Sequence, residues 1–288
     1  MVHNNQLQIS VERRIGFALF SLVCFLGVKI AGIPIFNAMK FTAIIPARYA
    51  STRFPGKPLE QIGGRPMIQH VYEKAMACQQ LSQVIVATDD QRILDCVHSF
   101  GGQAQLTSAE HPSGTDRVAE VAQGLADTEV VINIQGDEPF VRVEQLEQLC
   151  SFFSRPEVDI ATLAHPIAEE GFIHDPNVVK AVFSASGKAL YFSRSAIPFL
   201  RGRAVGEWQS FQQHYQHLGL YAYRKEVLLE LTQLQASSLE QAESLEQLRW
   251  LQADYAIYLA VTPHKSLGID TPEDLARAEQ WWQQQNRV

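Results

Sequence analysis

The residues that most constrain this chain run from Phe41 to Leu59. The apolar run FTAII leads without a break into PARYASTRFPGKPL. An apolar run that feeds a loop rich in glycine and proline reads as a buried strand ending at a sheet edge. That loop carries Arg48, Arg53 and Lys57; Gly56 allows close backbone approach, and Pro55 and Pro58 stiffen the turn. In an open α/β sheet, the crevice beyond the carboxyl ends of the strands is where ligands bind. The chain as a whole has a formal net charge of -7. A basic loop in so acidic a chain predicts a bound polyanion, most simply a triphosphate. The spacing fits neither GxxxxGK[ST] nor GxGxxG, so neither a P-loop nor a dinucleotide fingerprint is present.

Downstream of this loop, strand and helix patterns alternate. Residues 65–80 read as a helix with Met67, Ile68, Val71, Ala75 and Met76 on one face. QVIVATDD reads as a strand, residues 91–100 as a helix stopped by Gly101-Gly102, and residues 103–106 as a third strand. Residues 116–125 form the next helix, opened by Ser113-Gly114-Thr115, and VVINIQGDEP is a fourth strand ending in Asp137 and Glu138. This alternation implies parallel βαβ crossovers and a sheet covered on both faces. The second half changes character: VDIATLAHPI, residues 178–184, KALYFSRS and LGLYAYR read as strands that pair antiparallel. Residues 228–255 read as mostly helical, AIYLAV as a strand, and residues 271–282 as a last helix. The expected fold is α/β: one Rossmann-like domain over 39–288, with a mostly parallel sheet and an inserted mixed-sheet lobe at roughly 156–250.

Residues 1–38 form an apolar extension. Residues 15–36 are almost entirely apolar, with Arg13 and Arg14 before them. Their length suits a membrane anchor starting in the cytoplasm. The other reading is a start assigned too early, because Met39-Lys40 directly precedes the first strand. Membrane contact is therefore expected only through residues 15–36. With 288 residues, 46% hydrophobic and 19% charged, the chain can bury an ordinary globular core. Its acidic balance argues against a nucleic-acid partner. Cys24, Cys78, Cys96 and Cys150 lie far apart with no CxxC spacing, as in a cytoplasmic protein with reduced thiols.

Two acids complete the chemistry legible from residues alone. Asp137 ends an apolar strand at the same sheet edge as the basic loop. A carboxylate there needs a cation, and beside a triphosphate that cation is Mg2+; the alternative is a cap for a helix starting near Val143. Asp270 ends another apolar segment, GIDTPEDL. It reads equally as a metal ligand or as part of the helix start made by Thr271-Pro272-Glu273-Asp274.

The ordered set IPARYASTRFPGKPL, ATDD, SGTDR, NIQGDEP, YFSR, HLGLYAYR, LEQLR and GIDTPEDL resembles the 3-deoxy-manno-octulosonate (Kdo) cytidylyltransferases from about Lys40 to the last helix. Plant members of that family carry a membrane anchor before this region. The resemblance implies a GT-A-like nucleotidyltransferase fold and a Mg2+-dependent reaction of CTP with Kdo. The products would be pyrophosphate and CMP-Kdo for lipopolysaccharide synthesis. By motif, Arg48, Ser51, Arg53 and Lys57 would hold the triphosphate, with Ser113, Gly114 and Thr115 beside the nucleotide and Arg117 just after them. Asp137 and Asp270 would hold the metal. Gln135, Arg194, His217, Tyr221, Glu246 and Gln247 would surround the sugar acid, and a homodimer would form through the second lobe, where Leu245, Leu248 and Leu251 could form either the interface or core. Lys57, Arg48 and Asp137 are the expected catalytic residues of an in-line displacement. Two rival functions are a cytidylyltransferase for a sialic-acid-type sugar and a membrane-tethered nucleotide-binding protein without catalysis.

Overall fold

The structure is a computed structural model and describes residues 39–50, 54–265 and 268–285. The apolar segment 15–36, Cys24, Ser51 and Arg53 lie outside the described residues. Residues 39–288 form one compact unit.

Strand β1 (Phe41–Ala47) is buried along almost its whole length. It pairs in parallel with β4 (Leu81–Thr88) on one side and β6 (Val130–Asn133) on the other. Between β1 and β4 lie a two-stranded ribbon, β2 (Gln61–Ile62) and β3 (Arg65–Pro66), and helix α1 (Met67–Met76). Helix α2 (Gln91–Ser99) leads to β5 (Ala104–Leu106), which pairs in parallel with β4. Helix α3 (Gly114–Gln123) precedes β6, and α4 (Val143–Ser151) precedes β7 (Ile160–Pro166). After α5 (Glu170–His174) come β8 (Lys180–Phe183), β9 (Ala189–Ser193) and the long β10 (Tyr215–Arg224). Helices α6 (Lys225–Leu231), α7 (Ser238–Glu243) and α8 (Gln247–Gln252), strand β11 (Ile257–Val261) and α9 (Pro272–Gln285) complete the chain.

The sheet order is β11-β7-β10-β6-β1-β4-β5, with β8 and β9 branching from β10. Strand β10 runs antiparallel to both β6 and β7, and β11 runs parallel to β7. The expected α/β fold, mostly parallel with mixed pairing in the second half, is what forms. Successive strands step outward from β1 in one direction to β4 and β5, and β6 lies on its other side. This reversal opens a crevice beyond the carboxyl ends of β1 and β6, where doubly wound sheets bind their ligands.

Period-two alternation distributes β1 and β6 between two cores. Ala43, Ile45 and Ile132 pack with Ile68, Val71 and Leu146 on one face. Ile44 and Val131 pack with Val118, Tyr223 and Trp250 on the other. Fully burying each large aliphatic side chain contributes about 1.5–3 kcal/mol, so both faces hold the crevice rigidly.

Some sequence expectations need correction. The helix expected over 65–80 is shorter, because Arg65 and Pro66 pair with Gln61 and Ile62, and Pro66 has a backbone ψ of 142° that starts the helix at Met67. Met76 leaves the apolar face and is 56% exposed. Residues 228–255, read as mostly helical, hold the end of α6 and the short helices α7 and α8, with a break at Ser244 where φ is 51°. Leu245 and Leu248 belong to the core with Tyr223 and Trp250, and Leu251 packs against it. Leu245 and Leu248 are therefore not available as an interface. Cys78, Cys96 and Cys150 are free thiols. Among the described residues no helix is long and apolar enough to cross a membrane.

Candidate active site

The loop after β1 turns back on itself. The Gly56 N–H donates to the Tyr49 carbonyl at 2.9 Å. Gly56 has a φ of +74°, and a Cβ there would lie 3.1 Å from the Tyr49 ring. Only glycine takes both the left-handed conformation and the contact without strain. The Arg92 guanidinium lies 3.3 Å from the Tyr49 ring centroid and pairs with Asp90 at 2.6 Å, bracing the loop from α2. Lys57 and Pro58 then enter a short 3-10 turn, which directs Lys57 back over the crevice.

The chain leaving β6 passes close beneath. A Cβ on Gly136 would meet the Pro46 carbonyl oxygen at 2.9 Å, so this approach of two backbones requires glycine. Asp137 follows at once. Its backbone carbonyl accepts from the Ile269 N–H at 2.9 Å, which stitches the last loop of the chain to the end of β6 and brings Asp270 alongside. Ile269 is itself anchored among Ile62, Met67, Phe140 and Ala278.

Three distant segments thus converge. The Lys57 ammonium lies 2.7 Å from Asp137 Oδ2 and 3.2 Å from Asp270 Oδ1. The capping alternatives do not apply to either acid. Helix α4 is capped at Arg142. At α9 it is Asp274 that accepts from the Asp270 and Thr271 N–H groups, at 3.0 and 2.9 Å.

A cleft of about 310 Å³ opens over this cluster, lined by Arg48, Lys57, His111, Ser113, Gly114, Arg117, Gln135, Asp137 and Asp270, among others. The amino terminus of α3 forms one wall, with Ser113 as its cap, accepting from the Asp116 N–H. Such a terminus favours anions. Thr115 instead turns inward and donates to Glu246 Oε2 at 2.5 Å, while the single Ser113 hydroxyl proton lies between Asp116 Oδ2 at 2.6 Å and Glu246 Oε1 at 2.9 Å. Burial holds the Glu246 carboxyl above its ordinary value despite these two donors. The Arg117 side chain is buried and donates to Asp89 Oδ2 at 3.0 Å and to Thr107. His111, in contact with Glu120, was not singled out from the sequence; its position two residues before Ser113 was the available signal.

Behind the cleft, Gln135 donates to Asn133 Oδ1 at 3.1 Å, and Asn133 neighbours Tyr221 across the β6–β10 ladder. The His217 and Tyr221 rings lie 5.3 Å apart across an irregularity in β10. His217 Nε2 is 3.1 Å from the Thr162 hydroxyl, which in turn lies 2.8 Å from the Leu220 carbonyl. One hydroxyl has one proton, and the carbonyl takes it; His217 Nε2–H is then the donor and Nδ1 is left as an acceptor. Burial pushes the His217 ring down to about 3, so it is neutral. The Tyr221 hydroxyl is buried with no hydrogen-bond partner among the described residues. Arg194 donates to the carbonyls of Glu243, Pro176 and Ser244 at 2.6, 3.0 and 3.3 Å. Gln247 is buried at the start of α8. Arg194, His217, Tyr221, Glu246 and Gln247 therefore lie beside the cleft and not in its lining.

A mostly parallel sheet thus presents Arg48, Lys57, Asp137 and Asp270 together at its switch point, and the protein is a nucleotidyltransferase, as its relatives show. A family model described as cytidylyltransferase matches residues 42–260, and the chain belongs to that family. It is 50% identical over 245 residues to the 3-deoxy-manno-octulosonate cytidylyltransferase of Parabacteroides distasonis, covering 83% of this chain and 97% of the relative. The Cytophaga hutchinsonii enzyme of the same name is also 50% identical, over 241 residues, covering 83% and 96%. A solved CMP:2-keto-3-deoxy-manno-octonic acid synthetase in complex with CTP superposes with a TM-score of 0.80 at 42% identity, over 85% of this chain and 99% of that one. The 4-diphosphocytidyl-2C-methyl-D-erythritol synthase of Anaerococcus prevotii, at a TM-score of 0.58 and 15% identity over 86% of this chain and all of that one, shares the fold.

Proposed function

We propose that this chain transfers CMP from CTP to the anomeric oxygen of Kdo, releasing pyrophosphate. The observation that carries the reading is the convergence of Lys57, Asp137 and Asp270 from three separate segments onto one point of the crevice. The relatives that share half of its residues are named for the same reaction, which favours Kdo over a sialic-acid-type substrate and favours an enzyme over a non-catalytic binder.

Arg48 and Lys57 would hold the triphosphate, together with Ser51 and Arg53 of the same loop. Guanidinium groups suit this as bidentate forks and the ammonium as a compact charge. Ser113 and Gly114 would meet the nucleotide at the α3 terminus, and Thr115 would act through Glu246. The two carboxylates already converge on a cation and offer the hard oxygens that Mg2+ prefers, so the residues fit this metal. When bound, Mg2+ would supply charge neutralisation at the phosphates and acidify the attacking hydroxyl. Lys57 and Arg48 would stabilise charge developing on the α-phosphate and on the departing pyrophosphate.

For the sugar acid, Arg194 keeps guanidinium donors beyond the three used on carbonyls, enough for a carboxylate. His217 Nδ1 and the orphaned Tyr221 hydroxyl would pair with sugar hydroxyls, with Gln135, Glu246 and Gln247 around them. The reaction, which consumes CTP, would run in the cytoplasm and feed lipopolysaccharide synthesis. A second copy of the chain would cover the apolar surface of Phe199 and Phe211, which are 72% and 52% exposed. Pyrophosphate release is measured with CTP, Kdo and Mg2+, omitting each in turn and replacing Kdo by sialic acid. Asp137→Asn should lower turnover about a hundredfold or more. Full turnover of that variant, or equal use of sialic acid, would overturn the assignment.

A further inference from the structure

We infer that Lys57 is a built-in counter-cation that occupies the metal position between Asp137 and Asp270 until nucleotide and metal arrive together. This rests on the reading above, that the two acids hold a divalent cation during the reaction. Carboxylates this close repel unless a cation lies between them, and the ammonium meets one oxygen of each at 2.7 and 3.2 Å. It is the best-shielded member of the cluster: the Lys57 side chain is 11% exposed, against 32% for Asp137 and 49% for Asp270.

The position is also incomplete as a site for free metal. Mg2+ demands near-octahedral oxygen ligands. Among the described residues no group of three or more His, Cys, Asp or Glu side chains could hold a metal. Two carboxylates must therefore be supplemented by water or phosphate oxygens. A metal arriving alone would have to displace a resident ammonium and would gain little in exchange. The triphosphate changes both sides of that balance. It supplies the missing oxygens, and it offers Lys57 another anion in the same cleft. The lysine then moves from the acids to the phosphates as metal takes its place. Metal and nucleotide binding are coupled by one side chain, and free metal is kept off the empty enzyme.

The test is Mn2+ titration of the full-length protein without nucleotide, followed by electron paramagnetic resonance. Lys57→Met should bind Mn2+ on the order of tenfold more tightly than wild type, because a competing charge a few ångströms away is gone. Lys57→Arg should stay weak. The gain in Mn2+ affinity produced by a non-hydrolysable CTP analogue should be smaller in Lys57→Met than in wild type. Melting with and without Mn2+ covers the case of a destabilised Lys57→Met, since Mn2+ should raise its midpoint more than that of wild type. If Lys57→Met binds Mn2+ no better than wild type while Asp137→Asn abolishes binding, the counter-cation role is wrong and the metal assignment stands. If no form binds Mn2+ even with the CTP analogue, the metal assignment fails and takes this inference with it.

Discussion

Gly136 is where the fold and the reaction meet most tightly, and Gly136→Ala is a quantitative test of that contact. The added Cβ would lie 2.9 Å from the Pro46 carbonyl oxygen, 3.5 Å from the Ala47 Cβ and 3.6 Å from Ile68 Cδ1. Even a close carbon–oxygen contact needs about 3.3 Å, so the segment must open by roughly 0.4 Å. The obstacle is backbone near the end of β1, which pairs with β4 through Ala47 and with β6 as far as Ile44, and it cannot rotate away. Overpacking of this kind costs about 1–3 kcal/mol. For a domain of this size that corresponds to a drop of about 2–12 °C in the melting midpoint. Asp137, the next residue, must shift with it relative to Lys57 and Asp270. Displacements of this order at a reacting centre lower kcat/KM by about tenfold. Gly219→Ala is the control, because its added Cβ meets only Glu138 and Gln135 side-chain atoms at 3.7 and 3.8 Å. Thermal melting and pyrophosphate release are measured on both variants. A Gly136→Ala protein with wild-type melting and wild-type kcat/KM would refute the close approach and with it the geometric account of Asp137.

Two further outcomes follow from the same site and its lobe. The folded Glu246 carboxyl sits above its ordinary value of 4.5, so the folded state holds this proton longer than the unfolded chain does. Its contribution to stability therefore falls as pH rises from 4.5 through the raised folded value, and is flat on either side. The midpoint of Glu246→Gln should gain on wild type across that window; a widening deficit instead would contradict the burial of a charged carboxylate here. At the lobe surface, light scattering should read wild type as a dimer and the double substitution Phe199→Ser/Phe211→Ser as a folded monomer. An unchanged mass would remove these residues from the interface.

The crevice was legible in the sequence because its parts obey local rules. An apolar run followed by a stiff basic loop marks a strand end, and Asp137 follows an apolar run in the same way. The sheet and its mixed second half were legible for the same reason, since the central strands read as short apolar runs and are buried along most of their length. Element boundaries were less so: Arg65 and Pro66 look helical beside Met67, and only their pairing with a two-residue strand shows otherwise. Asp270 shows the limit most clearly. Read alone it is as good a helix cap as a ligand, since Thr271-Pro272-Glu273-Asp274 starts a helix in either case. The distinction depends on Asp274 taking the capping bonds and on the Ile269 N–H reaching the Asp137 carbonyl, a contact that no local pattern contains.

The same non-local character explains the division between cleft and sugar lobe. Motif order alone put Thr115 with the nucleotide and Glu246 with the sugar. The structure joins them by a 2.5 Å hydrogen bond, so neither is independent of the other. The carboxylate of Glu246 meets two hydroxyls at the α3 terminus, and its neighbours in the chain, Leu245 and Leu248, are anchored in the core with Trp250. A sugar acid that displaced or engaged Glu246 would act directly on the wall of the nucleotide cleft. On the proposed reading, Lys57 would link nucleotide to metal and Glu246 would link nucleotide to sugar, so the binding of three charged partners would be interdependent, and two anions would be brought to one phosphorus atom together rather than one at a time.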